Sequence, residues 1–289
     1  MNWLTEPLAY PFMQTALLTS AFIGVVCAVL SCFLILKGWA LMGDAVSHAV
    51  LPGVVLAYIL AIPLSIGAFV SGLASALLIG FIKRRSRVKE DAVIGLVFTA
   101  FFAFGLILLS RTVSDTHLSH ILYGNLLGIE TDDLVQVIVA GTLTLGTILV
   151  IRRDLLLFCF DPNHARAIGL NTAALYYTLL VLLALTIVAA LQAVGVILVI
   201  AMLITPGAIG YLLTDRFERM LLIASAAALV AAVGGVYLSF YLDASTAGCI
   251  VVVQALLFFV AVFVAPKGGI IARARGRRRA GMISVPASG

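Results

Sequence analysis

Hydrophobic residues in this chain do not alternate with polar ones; they run on. Nine continuous apolar stretches, at roughly 14–36, 45–61, 63–82, 91–110, 133–151, 172–190, 193–213, 220–241 and 246–265, are joined by short polar connections. Several approach 20 residues, the length at which a helix crosses about 30 Å of hydrocarbon. The period-two alternation of a barrel strand is absent. The pattern predicts an all-α polytopic membrane protein, a compact bundle of about eight or nine transmembrane helices. Little more than Ile62 and Pro63 separates the second stretch from the third, which predicts a tight turn. No basic region precedes the first stretch, which is long, so it reads as a retained helix and not a cleaved signal.

Composition closes off a soluble alternative. The chain is 63% hydrophobic and 11% charged over 289 residues, whereas soluble domains carry about 25% charged residues. The charges also orient the bundle. With the N-terminus outside, alternation through nine spans places Lys37, the cluster Lys83 to Lys89, Arg152, Arg153, Arg166, Arg216, Arg219 and the tail from Lys267 to Arg279 inside. Of 18 basic residues only Arg111 falls outside, in line with the positive-inside rule. Glu6, Asp115, Glu130, Asp132, Asp133 and Asp243 fall outside with it. The expected organisation is a transmembrane domain over 1–268 and a basic cytoplasmic tail, read as disordered, over 269–289. The tail's "RARGRRR" reads as an anchor at an anionic leaflet; no folded domain follows it, so no nucleic-acid role is expected. Cys27, Cys32, Cys159 and Cys249 form no C-x-x-C pair and read as small packing residues. Ala68, Gly72, Ala76 and Gly80 recur every fourth position in the third stretch, a close-packing face for another helix.

Three polar segments interrupt this pattern. In "GDAVSHAVLPG" (43–53), Asp44 and His48 stand at i and i+4 on one helix face. A carboxylate and an imidazole converging there form a two-ligand site for a divalent cation, or else a buried ion pair that locks two helices. Pro52 removes a backbone donor and Gly53 lowers helix propensity, so a broken helix is expected nearby. Broken helices near the midplane are where transporters build ion sites. The second segment, "SRTVSDTHLSHILYGNLLGIETDD" (110–133), is too long for a tight turn. It reads either as a surface helix with solvated His117 and His120, or as a re-entrant segment that brings His120 and Asn125 toward a permeation path. The third, "FDPNHARAIGLN" (160–171), has Asp161 as N-cap, Pro162 at the first helical position and Gly169 as terminator. It predicts a helix of about two turns, either lying on the membrane surface or docking into a groove on a partner.

Together these residues resemble the membrane subunit of the metal-importing ABC transporters, the manganese, zinc and iron permease family. The resemblance is carried by "LMGDAVSHAVLPGVVLAY" (41–58), "EDAVIGLVFTAFFAFGLILLSR" (90–111), "HILYGNLLGI" (120–129), "FDPNHARAIGL" (160–170) and "GVILVIAMLITPGAIGYLLTDR" (195–216). It covers most of the chain in the family's order, and G-D-x-x-S-H-x-x-x-P-G is its most specific part. It implies a location in the bacterial cytoplasmic membrane. It also implies one of two permease subunits, identical or sister chains, with cytoplasmic ATPase subunits and an extracytoplasmic metal-binding protein as partners. The family's metal-coordinating aspartate and histidine match Asp44 and His48, and its coupling helix matches the segment carrying Asp161, Pro162, Ala165, Arg166 and Gly169. The "LYGNLLG" stretch looks more like the manganese/iron branch than the zinc branch, although Tyr123 stands where phenylalanine is more usual.

The residues agree with that resemblance. No G-x-x-x-x-G-K-[ST] occurs, so ATP cannot bind here through a P-loop, and energy must come from a partner or an ion gradient. No permanently bound cofactor is expected; the metal, Mn²⁺, Fe²⁺ or Zn²⁺, is cargo. A mixed carboxylate–imidazole site suits Mn²⁺ or Fe²⁺, while Zn²⁺ binds such sites more tightly in general, so geometry and availability must select. Two rivals remain at this stage. One is a proton-coupled secondary transporter, with Asp44 also carrying protons. The other is an intramembrane enzyme, for which no H-E-x-x-H or nucleophile–base arrangement speaks.

Overall fold

The computed structural model describes residues 6–112 and 126–265. The basic tail, His117, His120 and Asn125, and with them most of the expected re-entrant segment, lie outside the described residues. Among the described residues the secondary structure is helical, with nine helices or helix pairs long and apolar enough to cross a membrane.

α1 (Pro11–Lys37) opens on a proline and closes at Gly38, a left-handed residue whose N–H returns to the carbonyls of Ile35 and Leu34. The Trp39 N–H also returns, to Leu34 at 2.8 Å, which folds the buried indole under the helix end. The second span is two pieces, α2 (Met42–Ala49) and α3 (Leu51–Ile59), joined through Val50. Pro52 has no N–H to offer the His48 carbonyl, and the break falls there. Ser71 of α4 (Leu64–Arg85) donates instead to the neighbouring Ala49 carbonyl, at 2.7 Å. The expected tight turn is present: Ala61 adopts a positive φ and Ile62 bonds back to Ala57.

α5 (Glu90–Arg111) returns outward, and α6 (Thr131–Phe160) comes back in. α6 overruns the expected end at residue 151 by more than two turns. Arg152, Arg153 and Asp154 interrupt its apolar run but not its helix, which continues to Phe160. The short α7 (Pro162–Ala167) follows, then α8 (Thr172–Val194), α9 (Val196–Leu213), α10 (Phe217–Leu242) and α11 (Thr246–Val264).

The broken second span (α2–α3), α1 and α8 are the most buried spans. α6, α9 and α10 pack around α1, and α4 and α6 flank α8. Leu30, Phe33, Leu180, Leu183 and Ile187 fill the space between. α5 and α11 leave most of their surface uncovered. α9 carries Pro206 in its interior. Ser31 of α1 stitches the distorted turn, donating to the Ile204 carbonyl and accepting from the Gly207 N–H at 3.0 Å. The small-residue stripe of α4 packs as its spacing predicts: Gly72 lies against Val46 and Val50, and Gly80 against Tyr176. The closest approach is one position away. A Cβ on Gly53 would collide with the Gly67 carbonyl, so α3 and α4 cross backbone to backbone.

Candidate metal site and coupling helix

α2 holds the first pair of site residues. Asp44 lies in its first turn, where the helix dipole favours a negative charge, and His48 in its last. One turn apart, His48 Nε2 and Asp44 Oδ1 stand 3.4 Å from each other. That is longer than the about 2.7–3.2 Å of a good N–H···O bond. An ion about 2.1 Å from each of two donors holds them about 3.0–3.4 Å apart for octahedral to tetrahedral angles. The spacing fits two chelating ligands, and equally an ion pair within one helix.

Depth follows from α5. His48 lies against Phe98 and Phe102, with ring centroids 5.3 and 5.4 Å away. These residues are about 12 and 18 Å along α5 from Glu90 at the cytoplasmic end, on a helix about 33 Å long. The pair thus sits near mid-membrane. The side chains of His48 and Asp44 are 30% and 37% exposed in the single chain, so the bundle does not close over them. No third His, Cys, Asp or Glu joins them among the described residues. An ion held between these two side chains would need further ligands from backbone carbonyls, water or another subunit.

The second site lies on the cytoplasmic side. Asp161 Oδ1 accepts from the N–H groups of Asn163 and His164, at 2.9 and 3.0 Å. These bonds, the one from His164 foremost, hold its carboxyl below the ordinary carboxylate range. Pro162 opens α7, and Gly169, with a positive φ, closes it. At six residues the helix is under two turns, shorter than expected, because Ile168 has already left helical geometry. Ala165 is fully buried and anchors α7 to the bundle, while Arg166, Ala167 and Ile168 face outward.

Phe98, Phe102, Glu90, Trp39 and Ser71 were not singled out by sequence reasoning. α5 is apolar all round, so nothing in its pattern says which edge faces the site. Glu90 had one available signal, an acid directly after the basic run 83–89; its Oε1 accepts from Trp39 Nε1 at 2.7 Å, and Lys83 lies 3.7 Å from its Oε2.

Known proteins share this chain's sequence almost end to end. The manganese transport system membrane protein MntB of Synechocystis sp. is 58% identical over 97% of this chain and 91% of its own length. The chelated iron transport system membrane protein YfeD of Yersinia pestis is 58% identical over 90% of this chain and 87% of its own. Among solved structures, PsaBC from Streptococcus pneumoniae in complex with Fab superposes with a TM-score of 0.83, at 38% identity over 96% of this chain and 98% of that one. The sequence profile of the ABC 3 transport family matches residues 9–265. With nine apolar spans among the described residues, a broken second span and a match that takes in nearly all of the bundle, this chain is a multi-pass inner-membrane member of the ABC 3 transport family.

Proposed function

We propose that the chain is the transmembrane subunit of an ATP-driven importer of Mn²⁺ and/or Fe²⁺, working by alternating access. The observation that carries this reading is the Asp44–His48 pair, spaced 3.4 Å apart near mid-membrane beside a helix break. Relatives named for manganese and chelated-iron transport support the cargo. As a transport component it performs no covalent chemistry; hydrolysis belongs to a separate ATPase subunit.

The geometry supports a division of labour. An extracytoplasmic binding protein delivers the ion, and Asp44 and His48 take it. A second permease subunit, identical or a sister chain, packs against the open side of the pair and supplies further ligands. α7 presents Arg166, Ala167 and Ile168 to the ATPase, and its buried Ala165 passes the motion to α6 and α8. The ion is cargo, so its ligands must release it as well as hold it, which suits a site of few protein donors.

Uptake of radiolabelled manganese tests this. The complete transport system, with wild-type, Asp44→Ala or His48→Ala permease, is expressed in cells lacking their own importers. Excess zinc or iron is added as competitor. Uptake that depends on both residues, survives excess zinc and disappears with an inactive ATPase is expected. Normal uptake by a well-expressed mutant would remove the site assignment, and transport of zinc in place of manganese would move the cargo.

A further inference from the structure

α5 reaches the proposed metal site without offering it a ligand atom. Phe98 and Phe102 are one turn apart, and their rings stack at 27° with centroids 6.1 Å apart. The His48 ring meets the first at 50° and the second at 76°. The imidazole is thus held on one side by two phenyl rings and faces Asp44 on another. Histidine has broad freedom about its terminal torsion, and flanking rings of this kind restrict it.

The rings are themselves held in place. Toward the outer side, Gly105 allows α5 to close on the break: a Cβ there would lie 2.9 Å from Leu51 and 3.0 Å from Pro52. Toward the cytoplasm, Glu90 fixes the helix start through Trp39 and Lys83. Glu90, Ile94, Phe98 and Phe102 recur every fourth residue, so the cytoplasmic anchor and the rings follow one another along a row that winds slowly around a single helix. Phe102 also packs into the apolar cluster around Val50, Leu51 and Val188.

We propose that Phe98 and Phe102 are positioning residues for metal uptake. They set the orientation in which His48 Nε2 meets the ion, and with it the affinity of the import site. The inference rests on His48 being a ligand. A group that orients a metal-bound histidine typically changes affinity tenfold to a hundredfold. Packing rings grip less firmly than a hydrogen bond, so the low end applies.

The test compares Phe98→Leu, Phe102→Leu and the ring-retaining Phe98→Tyr and Phe102→Tyr in the intact transporter. Two quantities are read: KM and Vmax of manganese uptake per molecule of complex, and the Kd of Mn²⁺ for the purified complex. The leucine variants are expected to raise KM and Kd about tenfold with Vmax within twofold of wild type. The tyrosine variants are expected to restore both constants to within about threefold. A purely structural role would lower the amount of complex recovered and leave KM unchanged. Unchanged KM and Kd in both leucine variants, with His48→Ala inactive, would overturn the positioning role and leave the ligand assignment standing. A His48→Ala transporter with wild-type KM would instead remove the ligand assignment itself. If Phe98→Leu yields no complex, Phe102→Leu decides by the same criterion.

Discussion

Single side chains tie this bundle together at its cytoplasmic rim. The Trp39 indole is 1% exposed and gives its only donor to Glu90. Glu90→Ala leaves that N–H buried and unpaired, at a cost of about 1–3 kcal/mol. Glu90→Gln keeps the acceptor and loses only the partly exposed Lys83 ion pair, worth about 0–1 kcal/mol. The alanine variant is therefore expected to melt well below wild type in detergent, and the glutamine variant close to it. Asp161 yields a pH prediction. Its carboxyl is held low in the folded chain by the His164 and Asn163 N–H groups. A depressed acid stabilises above its unfolded value and loses that contribution as pH falls through the folded one. Amide protection in residues 163–168 is expected to hold at neutral and mildly acidic pH and to fall only below the usual carboxylate range. Asp161→Ala should exchange fast at every pH; slow exchange in that variant at pH 7 would mean the cap does not hold α7.

At the level of helices, contacts between backbones decide which substitutions the bundle tolerates. Gly53→Ala would place a methyl group on the Gly67 carbonyl and force α3 from α4, at a cost of about 1–3 kcal/mol for overpacking. Gly146, in mid-helix on α6, has nothing within 4 Å of a Cβ, and Gly146→Ala should hold or raise the melting temperature. Equal melting temperatures for the two variants would show that α3 and α4 do not cross as described. The same contacts mark how far the sequence could be read. All nine spans were legible because their hydrophobicity is continuous. The helical end of α6 was not, because Arg152, Arg153 and Asp154 interrupt hydropathy without interrupting helix. The stripe from Ala68 to Gly80 announced close packing, yet the tightest crossing uses Gly67, one residue outside it. Asp44 and His48 stood out because charge is rare in such a chain. Phe98 and Phe102 did not, since aromatic residues on a uniformly apolar helix carry no mark of the face they serve.

Across the whole molecule, charge and connectivity give one topology that can be checked directly. The native cysteines are all buried, which leaves a quiet background for thiol labelling. Asn163→Cys is expected to react with a membrane-impermeant maleimide only from the cytoplasmic side, and Asp132→Cys only from outside. Labelling of both from one side would break the nine-span count. The layout also separates two tasks. The outer shell of α4, α6, α10 and α11 fills the membrane, and Asp44 and His48 sit on α2, eight residues long with a turn before it and a break after it. Such a layout makes the import site a replaceable part. A protein engineer who wanted another cargo would exchange α2 together with the Phe98–Phe102 edge of α5 that packs on His48, and leave the rest of the scaffold as it is.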